Sequence, residues 1–204
     1  MLYQHFRQLL HELRLIKSPS EIQLMRRSAE VAAEAMAKTM SATTSCSAES
    51  HLFATMDYHC RMSGAQHLAY PPVVAYGDNA NVIHYINNTQ AIGPGGTELV
   101  LMDAGCEYNG YSSDITRTWP VNGRFSEAQM IVYEIVLDVQ LKLIEKLSEM
   151  EETMTVDMLY KLMQLYLGKA LVGEGLVKGN NLTAADIVGY VMTYDGLMAY
   201  AVYY

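Results

Sequence analysis

An Asn109-Gly110 pair sits between two runs rich in β-branched and aromatic residues, ELVLMDAGCEY and YSSDITRTW. No other feature narrows the fold as much, because both central residues of a type I′ turn need positive φ and this dipeptide between such runs is the strongest short-range hairpin signal. With a two-residue loop, Tyr108 faces Tyr111. Counting back in step, Gly105 lies opposite Asp114 and Thr116 opposite Asp103. Side chains alternate faces, so the two carboxylates point to the same side as diagonal neighbours, roughly 7–8 Å apart at Cα and less at Cβ. From that separation two carboxylates can grip one or two cations. Gly105 leaves the space between them open, and a β-bulge there would shift the register by one and undo the count.

Two readings of the pair stand side by side. In the first, Asp103 and Asp114 are polar residues near a hairpin end, hydrogen-bonded to hydroxyls such as Ser112, Ser113 or Thr116. Arg117 is a poor partner for them, since by parity it faces away. In the second, the pair holds metal: like charges on one face repel and raise a pKa unless a cation or a shared proton relieves them.

Composition sets limits on the rest. A chain of 204 residues, 50% hydrophobic, can bury one sizeable core, which makes one domain the default. A net charge of −8 and a pI near 5.2 argue against nucleic acid and anionic membranes as partners, and the basic residues form no stripe. Cys46, Cys60 and Cys106 are odd in number and show no CxxC spacing, so neither a disulfide framework nor a zinc ribbon is indicated and a reducing compartment fits. The opening MLYQHFRQLLHELRLIK has no uninterrupted apolar stretch, and the expectation is a protein that is not secreted. The segment from Ile187 to Tyr204 is apolar, but Asp195 interrupts it, and its tyrosines and glycines suit strands or loops better than a membrane span.

Along the chain, Ser18-Pro19-Ser20-Glu21 combines a capping box with proline at the first helical position, and Ile22, Met25, Ala29, Ala32, Ala33 and Met36 form the apolar stripe of the helix that follows. A second helix starts near Ser47, carries Leu52, Phe53, Met56 and Cys60, and stops at Gly64. After Pro71-Pro72 the sequence predicts two strands, VVAY and NVIHYI, then a Gly93-Pro94-Gly95-Gly96 turn and the hairpin. GPGG lacks both the GxGxxG spacing and the Lys-Ser/Thr of a phosphate loop. Ser126 caps a long helix, and another runs from about Thr155 to Leu171. This order describes an α+β domain in which helices cover one face of a mostly antiparallel sheet.

His84, in NVIHYI, is the other candidate for chemistry, although a histidine on a half-buried strand is usually a hydrogen-bonded spectator. Serine-hydrolase chemistry is weaker: GYSSD is not a GxSxG elbow, and no histidine follows His84 in the chain.

The strings KSPSEIQLMRRSAEVA, YPPVVA, NVIHYINN and LMDAGCEYNGYSSDITRTWPVNGRFS resemble the catalytic, pita-bread domain of the M24 metallopeptidases, above all the Xaa-Pro aminopeptidases and their mitochondrial-type branch. The resemblance covers roughly residues 16–172. It implies an α+β pita-bread fold and a dinuclear site, usually manganese, held by two aspartates, one histidine and two glutamates. Asp103 and Asp114 fall on the two aspartates, and His84 falls on a strand histidine that contacts substrate. The implied substrates are peptides with proline second, with no nucleic acid or membrane partner. A homodimer and a mitochondrial or cytoplasmic setting are likewise implied. In the implied mechanism two Mn²⁺ ions about 3.5–4 Å apart activate a bridging water and polarise the scissile carbonyl. Residues 1–15 read as the end of a connection to an N-terminal domain, and residues 16–204 as the catalytic domain with a divergent tail over 182–204.

That tail departs from the family pattern. Where relatives carry a histidine-rich segment, this chain reads ADIVGYVMTYDGLMA, so that Asp186, Tyr190 and Leu197 replace three histidines and Tyr190 takes the ligand position. All six histidines precede the aspartates, and the strands that bring both glutamates in the family would come after Tyr204. The expectation is a pita-bread domain incomplete at its C-terminus, an Xaa-Pro aminopeptidase by descent that is inactive alone. The alternatives are a noncatalytic partner-binding form, or a prolidase-like dipeptidase or creatinase-like amidinohydrolase.

Overall fold

The computed structural model describes residues 2–93, 95–149 and 154–177. The elements in chain order are α1 (Leu2–Leu15), α2 (Pro19–Ala42), α3 (Glu49–Met62), β1 (His67–Leu68), β2 (Val73–Tyr76), β3 (Leu99–Ala104), β4 (Cys106–Tyr108), β5 (Tyr111–Ser112), β6 (Ile115–Pro120), α4 (Glu127–Glu149) and α5 (Val156–Gly173). The chain divides into two compact units, whose boundaries fall within β2, β3 and β6.

The first unit holds α1 to β1, the start of β2, the segment 86–94, most of β3, all of β4 and β5, and β6 as far as Thr118. Helix α2 starts where the sequence places it. Ser18 Oγ accepts the Glu21 N–H at 3.3 Å, the Glu21 carboxylate accepts the Ser18 N–H at 2.7 Å, and Pro19 opens the helix. Its buried face is rotated from the expected stripe. Ser28, Val31, Ala32, Ala35, Met36 and Thr39 are inside, while Ile22 and Met25 are about 40% exposed. The cause is tertiary: Ser28 Oγ donates to the Cys106 carbonyl at 3.0 Å, drawing this face of the helix onto β4. The small Ala32 and Ala35 then let α3 approach, where Leu52, Met56 and Cys60 are fully buried as expected.

The hairpin turns at Asn109 (φ 50°) and Gly110 (φ 84°), both left-handed, with Tyr108 paired to Tyr111 and Glu107 to Ser112 in the expected register. The pairing does not run on unbroken. It is interrupted at Gly105 on one arm and at Ser113–Asp114 on the other, so the expected single sheet becomes two three-stranded sheets, ordered β1-β4-β5 and β2-β3-β6. Nor does Gly105 leave open space. A Cβ there would overlap the Ser113 carbonyl oxygen, so the residue permits a close approach of the two arms.

The second unit holds the end of β2, residues 77–85 and 95–100, and everything from Trp119 onward. Ser126 caps α4 as expected: its Oγ accepts the Gln129 N–H at 3.3 Å and the Gln129 side chain accepts the Ser126 N–H at 2.8 Å. Thr155 caps α5 by accepting the Met158 N–H at 3.2 Å. The two helices bury Ile135, Val139, Met163, Leu167 and Leu171 against one another. NVIHYI is not a strand. A 3₁₀ turn over Gly77–Asn81 leads into a bend and turn, with Val82, Ile83 and Ile86 more than half exposed. β-Branched residues favour strands only when a partner strand covers them.

No helix among the described residues is long and apolar enough to cross a membrane. The stretch from Ile187 to Tyr204 lies outside the described residues, as do Asp186, Tyr190 and Leu197.

Candidate metal centre

Asp103 is the penultimate residue of β3 and is buried, 3% exposed. Asp114 is exposed and lies in the break between β5 and β6. Their carboxylates converge although the strand pairing is interrupted between them and the turn, and the group they meet on is the Tyr70 hydroxyl. It contacts Asp103 Oδ1 at 2.5 Å and Asp114 Oδ1 at 2.7 Å, so the two carboxylate oxygens can be no further apart than the sum of those distances.

Tyr70 is held there from both sides. The N–H of Ala69 donates to the Gly105 carbonyl at 3.0 Å, tying the segment to the break in the hairpin arm. On the other side Asn88, itself at φ 51°, donates from Nδ2 to the Pro72 carbonyl at 2.9 Å and accepts the Val74 N–H at 2.8 Å. The prolines after Tyr70 confine its backbone to extended conformations. Burial first, and then its bonds to Asp103 and Asp114, push the Tyr70 phenol well above its ordinary value, so it is a protonated donor.

A phenol carries one proton, so its contacts with the two carboxylate oxygens are one shared, three-centre bond, and a single proton leaves charge on the pair for a cation to offset. Thr116 adds a further sign of unfilled bonding capacity. Its Oγ1 is buried without a hydrogen-bond partner among the described residues. Arg117 is exposed and turned to its neighbour's carbonyl, and Ser113 Oγ serves Cys106, so neither offsets the carboxylates. These are hard oxygen donors of the kind a divalent cation such as Mg²⁺, Ca²⁺ or Mn²⁺ takes. Among the described residues no group of three His, Cys, Asp or Glu converges.

His84 belongs to the second unit, whereas Asp103, Asp114 and Tyr70 belong to the first. It is exposed, in the turn after the 3₁₀ segment, at φ 53°. Tyr70 escaped the sequence reading because it meets the aspartates from 33 and 44 residues away. The one local sign was an aromatic residue pinned ahead of a double proline.

Solved structures of aminopeptidase P define the fold class as the α+β pita-bread fold. The low-pH form of the Escherichia coli enzyme matches with a TM-score of 0.79 at 34% identity over 91% of this chain and 40% of that one. A zinc-substituted form of the same enzyme in complex with product matches with a TM-score of 0.76 at 34% identity. The profile of metallopeptidase family M24 matches residues 23–192, and the chain belongs to that family. Among curated relatives, mouse Xaa-Pro aminopeptidase 3 is 42% identical over 87% of this chain and 34% of its own length. The mitochondrial intermediate cleaving peptidase 55 of Arabidopsis thaliana is 49% identical over 68% of this chain and 28% of its own length. The chain thus spans about a third of the curated relatives it matches.

Proposed function

We propose that this chain carries the aspartate half of an Xaa-Pro aminopeptidase centre, acting on peptides whose second residue is proline. The observation that carries the reading is the convergence of Asp103 and Asp114 on one hydroxyl. Asp103 and Asp114 would ligate the metal, with Mn²⁺ as the expected ion and two ions in the complete site. When bound, the metal supplies Lewis acidity and an activated water for attack on the scissile carbonyl. Asp103, buried at a strand end, fixes one ligand; Asp114, exposed, can adjust to the ion. His84 would hydrogen-bond the substrate from its exposed turn. A mitochondrial setting is suggested by the name of the Arabidopsis thaliana relative, with a cytoplasmic one as the alternative.

Two carboxylates are too few to offset the dehydration of two cations. The isolated 204-residue chain is therefore expected to show no measurable Xaa-Pro cleavage, even with manganese added. Mn²⁺ titration beside hydrolysis of an Xaa-Pro peptide tests this. Turnover that Asp103→Ala or Asp114→Ala abolishes would show that other groups complete the site; Mn²⁺ uptake unchanged by both substitutions would sink the metal assignment itself.

A further inference from the structure

We propose that Tyr70 is a positioning residue for the carboxylate pair, its hydroxyl holding Asp103 and Asp114 convergent before any cation arrives. This rests on the metal reading above. The two acids differ in how firmly they are held. Asp103 sits in a strand and is buried, whereas Asp114 lies on unpaired backbone and is exposed, so like-charge repulsion would turn Asp114 outward. Tyr70 opposes that motion from a backbone fixed at Ala69–Gly105 and at Pro72–Asn88. A donor anchored on both flanks orients its acceptors instead of following them, which is how outer partners tune a metal site.

Tyr70→Phe keeps the ring and removes only the hydroxyl, and two readouts on the 204-residue chain judge it. The first is thermal unfolding without metal. The substitution is expected to lower Tm by about 5 °C, and by half that or less in an Asp103→Asn/Asp114→Asn background, where the bonds are no longer charge-assisted. An equal loss in both backgrounds would overturn the proposal, because a hydroxyl acting elsewhere, or a packing role, gives that result. The second is Mn²⁺ uptake, followed by loss of the free-ion electron paramagnetic resonance signal. Tyr70→Phe is expected to weaken uptake about tenfold or more; uptake equal to the parent's would overturn the positioning role. If the parent takes up Mn²⁺ no better than Asp103→Ala does, the metal reading of the pair falls, and the unfolding comparison alone decides whether Tyr70 orients the two acids.

Discussion

Gly105→Ala is the substitution by which the hairpin's geometry can be tested most severely. A Cβ at this position would overlap the carbonyl oxygen of Ser113, stand 2.5 Å from its carbonyl carbon and lie 3.1 Å from Asp114 N. All three atoms are backbone, so no side chain can rotate away. To reach ordinary contact the arms must part by about 1 Å at the carbonyl carbon and more at the oxygen, which puts the cost at the top of the overpacking range, roughly 3 kcal/mol. For a protein of this size that is a fall in Tm on the order of 6–12 °C. The parting also pulls on two hydrogen bonds that flank the break, Ala69 N–H to Gly105 O at 3.0 Å and Ser113 N–H to Cys106 O at 2.9 Å. Asp114 then moves off the Tyr70 hydroxyl, and Mn²⁺ uptake should fall with stability. Gly110→Ala is the control. Gly110 is left-handed at φ 84° with nothing within 4 Å of a Cβ, so its cost is only the conformational one, roughly 1–2 kcal/mol. Thermal unfolding of both variants separates the two effects. If Gly105→Ala proves no less stable than Gly110→Ala, the close approach of the arms, and the account of the sheet break built on it, is refuted.

The capping box of α2 gives two further tests. Ser18→Ala removes the acceptor for the Glu21 N–H and should cost about 1 kcal/mol in urea unfolding; no change would mean that the cap is unimportant. Glu21 accepts the Ser18 N–H and the Tyr111 hydroxyl, and these bonds, Ser18's first, hold its carboxyl below its ordinary 4.5. A depressed folded pKa stabilises fully above pH 4.5, and that contribution is lost as the pH falls through the folded value. The Tm difference between the parent and Glu21→Gln should therefore shrink on acidification, and a difference that widens would contradict the sign. Among the thiols, Cys60 and Cys106 have no exposure while Cys46 is half-buried, so a disulfide reagent should label one thiol in the native protein and three in urea. Rapid labelling of all three in the native state would contradict the packing of α3 on α2 and of α2 on β4.

What was legible in the sequence was what is settled over a few residues. Caps at Ser18, Ser126 and Thr155 act on N–H groups three positions on, and they mark helix starts that the structure repeats. The buried face of α2 was misjudged because it depends on a bond across 78 residues, from Ser28 to the Cys106 carbonyl, which a periodic count of apolar residues cannot contain. NVIHYI failed for a related reason. Its β-branched residues satisfy a propensity, but the 3₁₀ turn at Gly77–Asn81 carries the segment away from strand geometry and leaves Val82 and Ile83 exposed.

The same distinction runs through the candidate site. Convergence of Asp103 and Asp114 could be counted from Asn109-Gly110, since a two-residue turn sets the register for its immediate flanks, and the counted pairs Tyr108–Tyr111 and Glu107–Ser112 are found. The count then fails at Gly105, three residues short of the turn's own start, where the arms crowd instead of pairing. That the carboxylates still meet is owed to Tyr70, a residue whose contacts lie 33 and 44 positions away and whose own strand signal is nil. Local turn chemistry therefore brings the acids to the same side, and a distant anchored hydroxyl sets how closely they approach. A substitution at the turn should disturb folding first and metal uptake second, whereas Tyr70→Phe should disturb uptake out of proportion to stability; finding the reverse order would mean that the turn, and not the tyrosine, holds the pair together.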